Sequence, residues 1–430
     1  MNTLVISMES IIPIFFAVIG AVMFFGVVVT IAKIVRGANK TVNSNKSRPH
    51  TDGETERLCK TLDGDKLYDI ACGLEDEEGI KKDYNKWLAY MSAAADKGCA
   101  AALREMGLYY KYNKTNLALD YLNRAIAAGD GKAAAELIEI YRYGLENLNC
   151  ETLVEKNVDK AIECALPLAL NGVIAAQKAL ADIHYYEKDD EDGALEWYLK
   201  AAESGDAEAM YQAGELYGFK DEDEKSKEMF LKAAEQGYAD AECALGNYYC
   251  DLEEDLKQAL EWYKRADGHG NRFATCRLGE MYLNGEGVLQ DASTAVGYFE
   301  KAKNEGSLFG EYLLGKCYFD GTGVEQNYDK AIELYTEAAK YDSDAQYALG
   351  TCYLNGEGVK KNVGKAITYL TKASEYNDEA AYKLGEIYYH GEDAKKDEEK
   401  ARKLWRKAAE DDNKDAIESL KIYFGERVED

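Results

Sequence analysis

A short pattern of small and aromatic residues recurs along most of the chain and constrains its fold more than any other feature. An alanine is followed five residues later by a glycine, and three residues after the glycine comes a tyrosine. We call the middle residue the glycine position, and its copies are Gly107, Ile138, Ala181, Gly214, Gly246, Gly279, Gly315, Gly350 and Gly385, with Lys421 in a degenerate last copy. Copies lie 31 to 36 residues apart, with one interval of 43, a period typical of stacked helical repeats.

Each copy contains a second helical segment after the first. The segment begins on a small residue, has a large residue four positions later and usually an alanine three positions further on, as in Ala259, Tyr263 and Ala266. Residues at this spacing share one helix face, and we call the large residue the knob position. Several second segments stop at a glycine, such as Gly237 or Gly306, because glycine tolerates the left-handed backbone that closes a helix.

Close packing between the two helices explains the recurring glycine. Glycine inside a helix costs about 1 kcal/mol relative to alanine, so its repetition makes sense only where a Cβ atom would clash with the partner helix. The chain has three prolines in 430 residues, which favours an all-α body, although Pro167 falls inside a second helix and should kink it. Since one hairpin cannot bury both of its faces, the copies are predicted to stack into an α/α solenoid.

Loops of the form Gly-x-Gly-Val join the two helices in three copies, at residues 285–288, 321–324 and 356–359. Together with the spacing of alanine, Leu-Gly and tyrosine, these loops resemble Sel1-like repeats, which are relatives of the tetratricopeptide repeats with a longer loop. The resemblance covers roughly residues 65–424. It implies a right-handed superhelix of hairpins and an adaptor role, in which the protein gathers partners into complexes.

Some members of that family are secreted, rich in cysteine and bind or cleave β-lactams, and this enzymatic function is kept as an alternative. In those relatives a cysteine late in each second helix pairs with one early in the next first helix. Here the late positions hold Ala202, Ala234 and Ala339, so the resemblance does not extend to that framework. The sequence has no serine-hydrolase, Walker or CxxC motif, and its four histidines are scattered. We therefore expect a protein that is not an enzyme, with no catalytic, cofactor-binding or metal-binding residues.

The first fifty residues differ from the repeats. Residues 10–32 carry no charged side chain, and at about 1.5 Å per residue they reach roughly 34 Å, enough to cross a hydrocarbon core of about 30 Å. We therefore expect one transmembrane helix that anchors the protein in the lipid bilayer. The expected organisation is a short tail at 1–10, the transmembrane helix at 11–34, a flexible linker at 35–60, the solenoid at 61–424 and a short tail at 425–430.

Charge suggests both the topology and the kind of partner. Residues 1–50 contain five Lys or Arg, all after the apolar stretch, and a single acidic residue before it, Glu9. The positive-inside rule then places the repeats in the cytoplasm, while sequons at Asn39, Asn45 and Asn113 leave the extracytoplasmic side as an alternative. The net charge of the whole chain is −27, which argues against nucleic-acid binding and favours a basic protein or peptide partner, unless the charge only solubilises the surface.

The most informative positions for function lie on the first helices. In tetratricopeptide-type hairpins these helices line the concave surface, so the resemblance implies that the residues six and three before the glycine position, and one and four after it, face a groove. The predicted partner-binding residues are Phe273, Glu280, Leu283, Phe309, Tyr312, Phe319, Tyr347, Leu354, Tyr382, Glu386 and Tyr389. Tyrosine and phenylalanine provide large contact areas at interfaces. The alternative is that these aromatic side chains pack between neighbouring hairpins.

Overall fold

The computed structural model describes residues 52–75, 83–147, 149–391 and 394–426. The transmembrane helix expected at 11–34 lies outside these residues, together with the tail before it and most of the linker after it. Within the described residues, none of the helices has the length and apolar character needed to cross a bilayer. The described residues fall into two compact units, with the boundary between Trp197 and Tyr198, and each unit is described separately below.

The described part of the first unit is built from helices of nine to fifteen residues. They are α1 (Gly53–Thr61), α2 (Gly64–Cys72), α3 (Tyr84–Asp96), α4 (Ala100–Tyr110), α5 (Thr115–Ala127), α6 (Gly131–Tyr143), α7 (Val158–Leu170) and α8 (Ile174–Lys188), and α9 (Glu191–Glu203) runs from this unit into the next. Most begin at a side chain that caps the helix: Asp130, for example, accepts hydrogen bonds from the amides of Lys132 and Ala133.

The second unit continues the same pattern of helices that are eleven to thirteen residues long. They are α10 (Ala207–Phe219), α11 (Asp223–Glu235), α12 (Ala239–Asp251), α13 (Leu256–Gly268), α14 (Arg272–Asn284), α15 (Ala292–Asn304), α16 (Leu308–Asp320), α17 (Tyr328–Ala338), α18 (Ser343–Asn355), α19 (Val363–Ala373), α20 (Asp378–His390), α21 (Glu398–Glu410) and α22 (Lys414–Phe424). Even-numbered helices from α4 to α20 carry the glycine position, and inside each unit they pack along the odd-numbered helix that follows. The predicted helical-hairpin repeat is therefore confirmed.

The glycine position is a close helix crossing, as predicted. A Cβ atom added at Gly246, Gly279 or Gly385 would lie 2.4 Å from the ring of the residue at the knob position of the next helix, and at Gly315 it would lie 2.8 Å from Tyr335. Real Cβ atoms do not approach other atoms so closely, so each glycine leaves the space that its knob residue fills. The knob residues in question are Tyr263, Phe299, Tyr335 and Trp405, all buried.

The Gly-x-Gly-Val loops place each hairpin against the one before it. Both glycines of each loop have positive φ, for example 73° at Gly321 and 74° at Gly323, which favours glycine. A Cβ atom at Gly323 would lie 2.3 Å from the carbonyl oxygen of Ala292, the first residue of α15. The main chain of the loop thus touches the preceding hairpin at Gly323, and Val324 packs against the core cluster that contains Val296. The second glycine is needed for contact as well as for conformation.

The residue three after each glycine position anchors the loop to the second helix. The carbonyl oxygen of Tyr318 accepts a hydrogen bond from the amide of Asn327, the N-cap of α17, at 2.8 Å, and Lys330 lies over the ring at 4.3 Å. Where histidine replaces tyrosine, the polar partner changes as well: Nδ1 of His184 lies 2.7 Å from a carboxylate oxygen of Asp190. The main-chain contact is kept, because the carbonyl oxygen of His184 accepts a hydrogen bond from the amide of Asp190 at 2.9 Å, so only the side-chain contact differs.

The longer interval of 43 residues has a structural cause. A two-stranded antiparallel sheet, β1 (Leu145–Glu146) and β2 (Thr152–Val154), is inserted between α6 and α7. No strand was expected in the repeat region, because the segment has no alternating apolar pattern long enough to indicate one. In the same copy Pro167 lies in the last turn of α7, and the helix continues through it to Leu170.

Helix α1 corrects the expected linker at 35–60. Asp52 caps this helix by accepting a hydrogen bond from the amide of Thr55 at 2.8 Å. The hydroxyl of Tyr90 on α3 donates to the Thr55 hydroxyl at 3.3 Å, and Thr55 is buried. Residues 53–60 are therefore part of the packed body, since a polar composition does not prevent a short capped helix from packing against a neighbour.

Candidate functional site

The candidate site is the surface of the second unit formed by the first helices of its hairpins, which we call the first-helix face. Helices α14, α16, α18 and α20 place all eleven predicted residues on this face. Their exposure differs: Phe273 is 41% exposed, Leu354 is buried at 8%, and the other nine are half-buried. The first-helix face is therefore partly accessible to solvent and partly packed against the core, and its parts have to be considered separately.

An aromatic row crosses from α14 to α16. The rings of Phe273 and Phe309 stack with centroids 6.5 Å apart and an interplanar angle of 20°, and Phe309 lies 6.3 Å from the ring of Tyr312. The ring of Tyr312 lies 6.0 Å from the ring of the buried knob residue Tyr335. Burial raises the pKa of the Tyr312 hydroxyl to about 12. The row runs from an exposed phenylalanine into the core, so it combines accessible apolar surface with a rigid support.

The predicted tyrosine ladder is only partly available to a partner. Tyr312 packs at the edge of two core clusters and Tyr347 at the edge of another. The ring of Tyr382 stacks on the knob residue Trp405 at 6.4 Å, and its hydroxyl donates to Glu386 at 3.2 Å. Each ring therefore has one side against the core, and both interpretations of the ladder describe part of its contacts.

Two more of the predicted aromatic residues serve mainly to pack the hairpins. Phe319 meets Tyr328 edge-on at 5.1 Å. Tyr389 lies 5.2 Å from Trp405 and 4.4 Å from Tyr423 on α22. Among the eleven predicted residues, the most exposed apolar side chain is therefore Phe273 on α14, next to Phe309 on α16.

The carboxylates of the first-helix face fall into two groups. Glu280 forms an ion pair with Arg277 at 3.0 Å and Glu386 with Lys383 at 2.8 Å, each on its own helix. Glu215, one residue after the glycine position of α10, is different: burial raises its pKa to about 7, against the effect of a hydrogen bond with Tyr211. A carboxylate that is costly to ionise favours a nearby cation.

Acidic residues also occupy the position six before the glycine position. Sequence reasoning pointed only to Phe273 and Phe309 at this position. Asp240 accepts a hydrogen bond from the side-chain amide of Asn271 at 2.8 Å, and Asp344 accepts one from Asn377 at 2.8 Å. Each asparagine is also the N-cap of the next first helix. The sequence does contain a pattern, because an acidic residue at this position is followed 31 or 33 residues later by an asparagine. The pattern is hard to recognise, because the asparagine resembles an ordinary N-cap and the acidic residue an ordinary surface residue.

In the part of the chain that the structure describes, few features indicate a metal-binding site or a reactive cysteine. All ten cysteines are free thiols. Across the described ranges, no cluster of three or more His, Cys, Asp or Glu side chains could hold a metal ion. Burial raises the pKa of Cys317 to about 11 and of Cys352 to about 12, so both thiols are protonated near neutral pH and poor nucleophiles.

Comparison with known proteins identifies the repeat. The family model described as Sel1 repeat matches nine segments, residues 67–99, 100–130, 174–206, 207–238, 239–266, 273–307, 309–340, 343–377 and 378–413. No curated protein matches the chain at a significant level.

Several solved structures are similar to this chain. A protective antigen of uropathogenic Escherichia coli with an SLR fold is 23% identical over 87% of this chain and 90% of its own, with a TM-score of 0.49. A Sel1 repeat protein from Oxalobacter formigenes is 28% identical over 50% of this chain and 90% of its own, with a TM-score of 0.46. Yeast Tom70 is 16% identical over 86% of this chain and 85% of its own, with a TM-score of 0.41.

Proposed function

The chain belongs to the Sel1 repeat family, and on that premise we propose that it is a binding scaffold, not an enzyme, whose first-helix face holds a segment of a partner protein. Repeats of this kind generally bind proteins, and the helices of the second unit provide a continuous series of equivalent positions for an extended ligand. The proposal concerns the face around α14 and α16, where Phe273, the most exposed of the predicted residues, lies.

The observation that carries the proposal is the aromatic row of Phe273, Phe309 and Tyr312. Phe273 is 41% exposed although it stacks on Phe309, so the pair leaves apolar surface in contact with water. Aromatic residues of this kind, supported from behind by a packed core, are typical anchors of protein interfaces. A partner that covers the row would gain affinity from apolar contact without reordering the helices below it.

The charge of the chain indicates the chemistry of the partner. The net charge is −27, and the first-helix face carries Glu215, Asp240, Asp344 and Glu379 on either side of the aromatic row. We therefore propose a partner segment with apolar anchors flanked by lysine or arginine. The aromatic row would supply most of the affinity, and the acidic surroundings would accelerate the encounter.

A photo-crosslinking experiment tests the proposal in native membranes. The photoreactive residue p-benzoylphenylalanine replaces Phe273 in one variant and Leu289, which is 90% exposed in the loop after α14, in the control. We expect a discrete crosslinked partner from position 273 and none of that size from position 289. Adding Phe309→Ala should lower the yield at position 273 at least threefold, whereas Tyr376→Ala, at a residue 63% exposed elsewhere, should not.

Equal crosslinking from positions 273 and 289 would contradict the proposal, because it would mean nonspecific capture. No crosslinked product at position 273 in membranes where the folded protein is present would contradict it as well. Circular dichroism of the Phe309→Ala variant controls for unfolding.

The proposed scaffold is tethered to the membrane by residues 11–34 and faces the cytoplasm. The support for this part comes from the sequence: residues 10–32 carry no charge, and the five Lys and Arg residues of the first fifty follow that stretch. A tether would hold the first-helix face near the bilayer and so recruit its partner there.

A further inference from the structure

A small recess lies on the first-helix face between α14 and α16. Its volume is about 160 Å³, and its lining is made of Glu280, Leu283, Asn284, Phe299, Leu313, Lys316, Cys317, Asp320 and Thr322. The floor is apolar, because Phe299, Leu313 and Cys317 are all buried core residues. The rim is polar and comes from both helices and from the Gly-x-Gly-Val loop that follows α16.

The size of the recess limits what it can hold. An apolar cavity of about 150 Å³ takes up one benzene molecule, whereas drug-sized ligands fill pockets of about 300 Å³ or more. The recess therefore fits one side chain, such as leucine or phenylalanine, and not a larger organic molecule.

The rim carries two charges that lack ion-pair partners among the described residues. Lys316 and Asp320 stand one turn apart on α16, and neither forms a salt bridge or a side-chain hydrogen bond with another described residue. Glu280 on the opposite rim is already paired with Arg277 at 3.0 Å. A ligand that fills the floor would therefore meet one free carboxylate and one free ammonium group at the edge.

We propose that this recess is the socket for one apolar side chain of the partner segment, and that the residue next to it in the partner is lysine or arginine. The inference rests on the proposed function and specifies its ligand. The apolar side chain contacts Leu283, Leu313 and the edge of Phe299. The basic side chain pairs with Asp320, and Lys316 donates to a main-chain carbonyl of the same segment.

Nuclear magnetic resonance of the full chain in mild detergent tests the socket with defined probes. The methyl signals of Leu283 and Leu313 report on the recess, and the probes are N-acetylated, C-amidated dipeptides. We expect Leu-Arg to shift these signals in a saturable way, while Ser-Arg and Leu-Glu at the same concentration shift them at least fivefold less. Shifts that do not depend on the leucine, or that occur only elsewhere, would refute the socket.

Two variants locate the effect. Asn284→Trp places a large ring at the exposed rim and should abolish the Leu-Arg response. Asp320→Lys should weaken the response about tenfold, whereas Glu333→Lys, the same charge change at an exposed residue of α17, should leave it within twofold. If both charge variants behave alike, only the overall field matters and the assignment of Asp320 is wrong.

The two proposals can fail independently. Crosslinking at Phe273 without a dipeptide response would retain the scaffold and reject the socket. A dipeptide response without any crosslinked partner at Phe273 would retain the recess as a binding site and reject the aromatic row of Phe273, Phe309 and Tyr312 as the surface that holds the partner.

Discussion

At the scale of single residues, most repeats pair a residue that has no side chain with a large residue that fills the space. A glycine on one helix leaves room for a large residue eight positions after the N-cap of the next, as Gly279 does for Phe299. The close approach of the two helices at the glycine was predicted from spacing, because only a missing Cβ atom explains glycine repeated inside helices, but its pairing with the large residue was not predicted. The identity of the atoms in contact could not be predicted, since it depends on how the helices cross.

The close crossing predicts opposite effects for the same substitution at two helical glycines. Gly279→Ala would bring a Cβ atom 2.4 Å from the Phe299 ring, whereas nothing lies within 4 Å of a Cβ atom at Gly297. We expect Gly279→Ala to lower the free energy of unfolding by about 1–3 kcal/mol through overpacking, and Gly297→Ala to raise it by about 0.5–1 kcal/mol. Urea denaturation measures both, and equal effects would show that the crossing has room for a side chain.

In one copy the large residue and the small residue are exchanged between the two helices. Ile138 occupies the glycine position of α6, and Ala165 stands at the knob position of α7, eight residues after the N-cap Asn157; both are buried. We expect Ile138→Gly to cost about 2–5 kcal/mol, as loss of a buried isoleucine does, and Ala165→Leu to be destabilising by overpacking. The double variant should recover at least 1 kcal/mol relative to the sum of the two. Strict additivity in a double-mutant cycle would show that the two residues do not face each other.

Glu215 predicts a pH dependence of stability. Its pKa is raised by burial from an ordinary 4.5 to about 7, so the folded state holds the proton to higher pH than the unfolded state does. The corresponding stability is fully present below pH 4.5 and is lost as pH rises through 7. Glu215→Gln should therefore gain about 1–3 kcal/mol relative to the parent at pH 8 and little at pH 4.5. Thermal unfolding at both pH values measures the difference, and a gain independent of pH would contradict the assignment.

At the scale of elements, asparagine caps link neighbouring hairpins. Asn377 caps α20 through its carbonyl oxygen and donates through its amide to Asp344 on α18 at 2.8 Å. Asn327 caps α17 in the same way, at 3.0 Å from the amide of Lys330. The side-chain hydrogen bonds of the two caps therefore differ by one, the inter-hairpin bond to Asp344.

That difference gives a matched test. Serine is a good N-cap, so Asn327→Ser should change stability by a few tenths of a kcal/mol. Asn377→Ser should cost about 0.5–1.5 kcal/mol more, because it also removes the bond to Asp344. Urea denaturation of the two variants checks the expectation. Indistinguishable midpoints would mean that the inter-hairpin bond contributes nothing measurable.

Some features of the helices and strands follow from local sequence patterns and could be predicted, whereas others depend on tertiary contacts and could not. The helices and their crossings follow from spacing, so the hairpin repeat was predicted correctly. The insert of β1 and β2 and the packing of α1 depend on contacts that are distant in sequence, such as Tyr90 with Thr55. The exposure of the candidate site residues could not be predicted from the sequence, because the same tyrosine at an equivalent position can stack on a knob residue or remain accessible.

At the scale of the whole molecule, the N-terminal stretch predicts attachment to a membrane. If residues 11–34 span the bilayer with the repeats in the cytoplasm, the protein should resist carbonate extraction, and a C-terminal reporter active only in the cytoplasm should be active. Deleting residues 1–36 should release the folded repeats into the soluble fraction. Extraction of the intact chain by carbonate would reject the span, and an inactive but expressed reporter would reject the orientation.

The pairing of glycine with a large residue also bears on how such a gene can change. Gly315 and Gly350 are 35 residues apart, and each faces a large side chain on the helix that follows. Unequal recombination between these two copies would delete or duplicate one complete hairpin and still leave every glycine opposite a large residue. Recombination between the Ile138 copy and a glycine copy would join isoleucine to a large knob residue, such as Phe299 or Leu370, or glycine to Ala165. Exchange of whole copies between Gly214 and Gly385 therefore preserves this contact, whereas we expect Ile138 and Ala165 to be exchanged only together.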